Sequence, residues 1–109
     1  MNEEGDDTVY VLNVLWFRPG GSQRYRDYIA AARPLVEARG GAFLEPYEVA
    51  ETWQGDLDAD LVFYGRYPSK EVLLEMLTSD EYQRVATIRD EAVERSITSL
   101  CRAAPPFAD

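Results

Sequence analysis

The chain opens its structured part with an apolar run, Thr8 to Phe17 (Thr-Val-Tyr-Val-Leu-Asn-Val-Leu-Trp-Phe), closed by Arg18-Pro19-Gly20-Gly21. β-favouring residues ended by a turn signal predict a strand. Its odd positions (Val9, Val11, Asn13, Leu15, Phe17) and its even positions (Tyr10, Leu12, Val14, Trp16) are both mostly apolar, as in a central strand covered on both sides. The period then changes from two to about three and a half. Tyr25, Tyr28, Ile29, Ala32, Leu35 and Val36 recur at helical spacing. This predicts a helix from an N-cap at Ser22 to about Arg39, interrupted by Pro34 and ended at Gly40-Gly41, one of which takes the left-handed position after the helix.

Ala42 to Trp53 alternates weakly and contains Pro46, which predicts an edge strand bent or bulged near Glu45-Pro46. A turn-rich stretch, Gln54 to Asp60, leads to Leu61-Val-Phe-Tyr-Gly-Arg-Tyr67, a strand stopped by Pro68. Leu61, Phe63, Gly65 and Tyr67 share one of its faces; Val62, Tyr64 and Arg66 share the other. Ser69 and the segment from Thr78 to Glu81 carry cap signals for two helical pieces. Leu73, Met76 and Leu77 form the inward side of the first, and Tyr82, Val85, Ile88, Arg89 and Ala92 one side of the second. Ser96 to Ala103 alternates again and predicts a last strand. The order β-α-β-β-α-β is the split βαβ, ferredoxin-like α+β unit. With right-handed crossovers its four strands lie in the antiparallel order 4-1-3-2, helices on one face.

At 109 residues this is one domain, expected over residues 8–104 between an acidic tail (1–7) and a C-terminal tail (105–109). The first residues are acidic and lack the apolar centre of a secretory signal, and no apolar run is long enough to span a membrane. A cytoplasmic location is therefore expected. Eleven basic against twenty acidic residues give a net charge of -9, which disfavours nucleic acid as a partner. The arginines of the first helix, interleaved with Asp27 and Glu37, read as a solvated face. One cysteine permits no intrachain disulfide, and the lack of any histidine, with no Asp-rich loop, leaves no expected metal site.

Several pieces of the chain carry a resemblance. They are Tyr10-Val11-Leu12, Tyr28 before Ala-Ala-Arg-Pro-Leu, Arg39-Gly-Gly-Ala-Phe-Leu44, Tyr67-Pro-Ser69 and Ser79-Asp-Glu-Tyr-Gln83 with Arg89 beyond. Together these resemble a family of small bacterial domains of unknown function in the dimeric α/β barrel superfamily. The resemblance implies a homodimer and a small-molecule cavity. Its superfamily includes cofactor-independent monooxygenases, polyketide cyclases and muconolactone-type isomerases, many in secondary metabolism, alongside stress-induced proteins without known activity. It also implies that the even positions of the first strand face the barrel interior. Tyr64, Arg66 and Tyr10 are then the candidate catalytic groups, a phenol serving as proton donor and a guanidinium as oxyanion holder. Trp16, Val14 and Leu100 are candidate substrate-binding residues, with Thr98 and Arg102 as companions of Leu100.

Two further candidates need conditions. Asn13 is an amide in an apolar run and must find hydrogen bonds. Some monooxygenases of the superfamily use Asn, Trp and Tyr together, yet Asn13 and Trp16 lie on opposite faces of a regular strand unless a bulge intervenes. Without one, Asn13 sits beneath a helix near Gly65. Trp53, with Glu48 and Glu51, offers an aromatic wall beside a carboxylate on a strand whose faces the proline leaves open. The sequence thus supports two readings. One is a cofactor-independent cyclase, isomerase or monooxygenase acting on a small planar oxygenated molecule. The other is a non-catalytic ligand-binding or accessory dimer, in which the aromatics only pack the barrel and the dimer interface.

Overall fold

Because it is apolar on both faces, the first run forms the centre of the sheet. The computed structural model describes residues 7–107. The acidic tail expected over residues 1–7 thus lies outside the described residues except for Asp7, as do the last two residues of the chain. β1 (Val9–Phe17) leads into α1 (Gly21–Ala38), followed by β2 (Ala42–Phe43), β3 (Tyr47–Glu48) and β4 (Leu61–Tyr67). α2 (Lys70–Leu77), α3 (Asp80–Ala92) and β5 (Val93–Cys101) complete the order. β1 pairs antiparallel with β4 on one side and β5 on the other, and β2 and β3 both pair with β4. The order β2-β4-β1-β5 is the 4-1-3-2 arrangement expected of the ferredoxin-like unit.

Odd positions of β1 face the helices, as the pattern predicts. Leu15 and Phe63 pack with Tyr25, Tyr28, Ala32, Ala92 and Val93 in one cluster. Val9, Val11 and Tyr67 pack with Val36, Leu73 and Met76 in a second. Phe43 and Tyr82 lie against both. The core is thus split into two lobes, with a gap between them.

The helix ends are set by specific groups. α1 does not use Ser22 as its cap: the cap is Gly20, at φ 75°, without a side-chain hydrogen bond. The reason is the tight turn at Arg18-Pro19-Gly20 and the lack of room at Gly21, where a Cβ would stand 2.2 Å from the Ala92 carbonyl oxygen. At the other end Gly40, at φ 82°, donates to the Glu37 carbonyl and Gly41 to that of Val36, the paired bonds of a Schellman motif. Ser69 and Ser79 cap α2 and α3 by accepting from the Val72 and Tyr82 amides. Arg39 bonds Glu75 through Nε and Nη2 at 2.7 and 3.2 Å, tying the end of α1 to α2.

The second strand is shorter than the alternation suggests. Phe43 pairs with Gly65 and Tyr47 with Val62, so four steps on one strand oppose three on the other. One extra residue at Glu45-Pro46 makes the expected bulge and leaves two-residue fragments on either side. Val49 to Asp60 then runs irregularly, held to the end of β1 by backbone and carboxylate bonds. Asp60 donates its amide to the Leu15 carbonyl and accepts from the Phe17 amide, both at 2.8 Å. β5 begins at Val93, earlier than the expected Ser96, because α3 passes into it without a loop.

Candidate functional site

Direct cross-strand partners share a face of a sheet. Tyr10 opposes Arg66 and Cys101, Leu12 opposes Tyr64 and Ser99, and Val14 opposes Val62 and Ile97. These residues form the sheet surface away from the helices, where the expectation put Tyr10, Val14, Trp16, Tyr64 and Arg66. Val14 is buried even on this face, since it lies mid-sheet between Val62 and Ile97, whereas Tyr64 and Ile97 are exposed.

Three of the expected companions lie elsewhere. Leu100 opposes Val11 and Thr98 opposes Asn13, so both belong to the helix side, and Arg102 follows the end of β5. Trp16 shares a face with Tyr64 but opposes Arg95, four residues along β1 from Leu12. At about 3.4 Å per residue that is about 14 Å, too far to be a stacking wall over Tyr64 and Arg66 in the same chain. Its indole instead donates to Asp58 at 2.9 Å, with the Arg95 guanidinium 4.2 Å from the ring centroid. Trp53 is 89% exposed and, among the described residues, hydrogen-bonds Glu51 two positions before it within the irregular stretch, so no strand aims it at a site. The register shift between β1 and β5 falls after Trp16, leaving Asn13 and Trp16 on opposite faces.

The helix side holds a concave site. Between the two lobes of the core lies a cavity of about 410 Å³ lined from every element but β3. That volume is within the span of about 300–1,000 Å³ usual for small-molecule pockets. Val11, Phe43, Phe63, Leu73, Met76 and Leu77 supply its apolar walls; Asn13, Thr98, Tyr28, Tyr67, Tyr82 and Arg89 supply polar groups. It opens over β5, where Thr98 and Leu100 are exposed beyond the helix layer. Asn13 and Thr98 are direct cross-strand neighbours, so their polar atoms enter side by side. The Asn13 Nδ2 group donates to the Val11 carbonyl at 3.2 Å, leaving a second N–H and Oδ1 for a ligand.

Opposite them, the hydroxyls of Tyr28 and Tyr82 share a hydrogen bond of 2.7 Å, with rings in edge-to-face contact. Burial pushes the phenols of Tyr25 and Tyr28 far above the ordinary tyrosine value, and the Arg89 charge offsets only part of this. Burial also raises Tyr67, to about 12. These three groups therefore stay protonated near neutral pH and act as hydrogen-bond donors, or as acids toward a strongly basic oxygen. The neutral phenols, the amide and the hydroxyl surround a single guanidinium.

Tyr28, Tyr82 and Arg89 are the cavity residues that a reading for apolar stripes assigns to packing. Their signal is present in the sequence: Tyr28, Arg89 and Asn13 are polar groups on the inward stripes of α1, α3 and β1. Polar groups on three converging inward faces need either partners in the core or a ligand.

Among solved structures, the chain resembles the RPA0582 protein of unknown function from Rhodopseudomonas palustris. It is 24% identical to it, covers 93% of this chain and 85% of that one, and superposes with a TM-score of 0.82. Rv0793 from Mycobacterium tuberculosis is 21% identical, with 94% and 100% covered and a TM-score of 0.67. SnoaB, a cofactor-independent oxygenase from Streptomyces nogalater, is 14% identical, with 94% and 99% covered and a TM-score of 0.68. At such identities the likeness shows the fold alone, the ferredoxin-like α+β unit. No curated protein matches the chain. Residues 9–101 match a family pattern described as a domain of unknown function, DUF1330, and the chain belongs to that family.

Proposed function

We propose that this protein is a cofactor-independent enzyme of the cyclase, isomerase or monooxygenase kind, acting on a small planar oxygenated molecule bound between helices and sheet. The observation that carries this reading is the convergence of Asn13, Thr98 and the Tyr28–Tyr82 pair on one apolar-walled cavity. A flat ring system lies against Phe43, Phe63 and Met76, while its oxygens meet the amide and the hydroxyls. Donors fixed before the ligand arrives stabilise negative charge on an enolate oxygen without reorganising. The likeness in fold to SnoaB supports the same class of chemistry.

A second reading, a binding protein without catalysis, draws on one observation. Among the described residues that line the cavity there is no carboxylate, so no side chain there is a ready proton acceptor near neutral pH. In either reading two copies pair through the open sheet face, burying Leu12, Val62, Tyr64 and Ile97. Covering that face is worth about 25 cal/mol per Å² of apolar surface. Tyr10, Arg66 and Cys101 then belong to the interior between the two sheets.

Calorimetric titration with 2-naphthoate tests the location of the site. Asn13→Leu is expected to weaken binding about 2- to 12-fold, the worth of one hydrogen bond. Arg66→Ala, on the opposite face, is expected to leave the affinity unchanged. Loss of binding in Arg66→Ala with normal affinity in Asn13→Leu places the ligand on the open sheet face and refutes this reading.

A further inference from the structure

We infer that the ligand of the cavity between helices and sheet is a monoanion that arrives already ionised, an aromatic enolate, phenolate or carboxylate paired with Arg89. The inference rests on the placement of the site proposed above and adds the charge state of what it takes.

The first support is charge balance. Arg89 is the one charged side chain among the described residues that line the cavity. The four ion pairs of the described residues belong to Arg24 and Arg39, and no carboxylate pairs with Arg89. Among the described residues Arg89 is a half-buried guanidinium without a carboxylate partner in a chain of net charge -9, unlike Arg39, which is paired with Glu75 and approached by Glu81; Arg66, the other half-buried arginine without an ion pair, lies on the opposite face of the sheet. Pairing it with one ligand oxyanion neutralises the pocket.

The second support is the set of groups that line the cavity with Arg89. α1 contributes Tyr25 and Tyr28, α3 itself Tyr82, and β4 Tyr67. β1 and β5 contribute Asn13 and Thr98, which do not titrate, and α2 contributes Leu73, Met76 and Leu77. Each lining group other than Arg89 is a neutral donor, an acceptor or an apolar wall, so a bound neutral acid has no carboxylate or imidazole to which it can pass its proton. The ionisation happens in water before entry. One cation selects one negative charge, and apolar walls on either side select a ring rather than a phosphate or a dicarboxylate.

The test compares 2-naphthoate with its neutral isostere 2-naphthamide on the wild-type protein by calorimetry at neutral pH. The carboxylate is expected to bind about tenfold or more tightly than the amide. Arg89→Gln is expected to abolish that preference by weakening the carboxylate alone, and Arg89→Lys to restore part of it, with circular dichroism confirming the fold of each variant. Equal affinities for the two probes, both weakened by Asn13→Leu, overturn the anion inference while leaving the site in place. Failure of both probes to bind, or binding that Asn13→Leu does not touch, overturns the site and the inference together. A tenfold preference that survives unchanged in Arg89→Gln also refutes the role of Arg89.

Discussion

Removing either hydroxyl of the Tyr28–Tyr82 pair should destabilise the protein unequally, and the inequality follows from burial. Tyr28 is 6% exposed, while Tyr82 is only half-buried. Tyr82→Phe strands the Tyr28 hydroxyl in a site dry enough to lift its pKa steeply, and an unpaired buried hydroxyl costs about 1–3 kcal/mol. Tyr28→Phe leaves the Tyr82 hydroxyl near water and should cost only the net hydrogen bond, about 0.5–1.5 kcal/mol. The double variant removes both polar groups and should cost at least about 0.5 kcal/mol less than the sum of the two. In a domain of this size each kcal/mol corresponds to roughly 4–8 °C in melting temperature. Urea and thermal unfolding of the three variants supply the cycle. Additive effects within about 0.3–0.5 kcal/mol, or a larger loss from Tyr28→Phe than from Tyr82→Phe, would refute the account of the pair as a dry wall of the cavity.

Two other outcomes are expected. Leu12→Asp and Ile97→Asp place carboxylates on the uncovered sheet face and should halve the mass measured by light scattering at micromolar concentration, with the monomer still helical by circular dichroism; a wild type that is already monomeric contradicts the proposed pairing. Arg39 holds the Glu75 carboxyl below its ordinary value through their hydrogen bond. The folded pKa is therefore lower than the unfolded one, so the contribution is present above the unfolded value and fades as pH falls through the folded value. Glu75→Gln should accordingly reduce the melting temperature at neutral pH and converge with the wild type in acid, and a constant difference across that range contradicts it.

Much of the fold was legible because the period of the pattern is the fold here. The doubly apolar β1 belongs at the centre of a sheet, the proline at position 46 belongs at its edge, and Ser69 and Ser79 sit where helices need caps. Local signals mislead where tertiary contact overrides local preference. Ser22 has a good capping side chain, but Gly20 supplies the left-handed φ of 75° that the turn needs, and only glycine at position 21 fits the close approach of α1 to the Ala92 carbonyl. The site was harder to read. Strand parity correctly separates Asn13 from Trp16 and groups Tyr10, Tyr64 and Arg66, yet parity does not say which face is concave. That depends on how the core divides into two lobes, which is a matter of helix placement. The alternation of β5 leaves the side of Leu100 open, because its register against Val11 cannot be counted from sequence. Trp53 is a large aromatic, but β3 ends at Glu48 and does not continue far enough to aim it.

The most direct measurement is a nuclear magnetic resonance titration of isotopically labelled protein with 2-naphthoate, following backbone amides, the Asn13 side-chain amide and the methyl groups of Leu73, Met76 and Leu77. The account predicts that these signals, with the amide of Thr98, shift together and saturate at one ligand per chain. Shifts confined to Tyr10, Val14, Tyr64 and Arg66, with the Asn13 side chain unmoved, would contradict it.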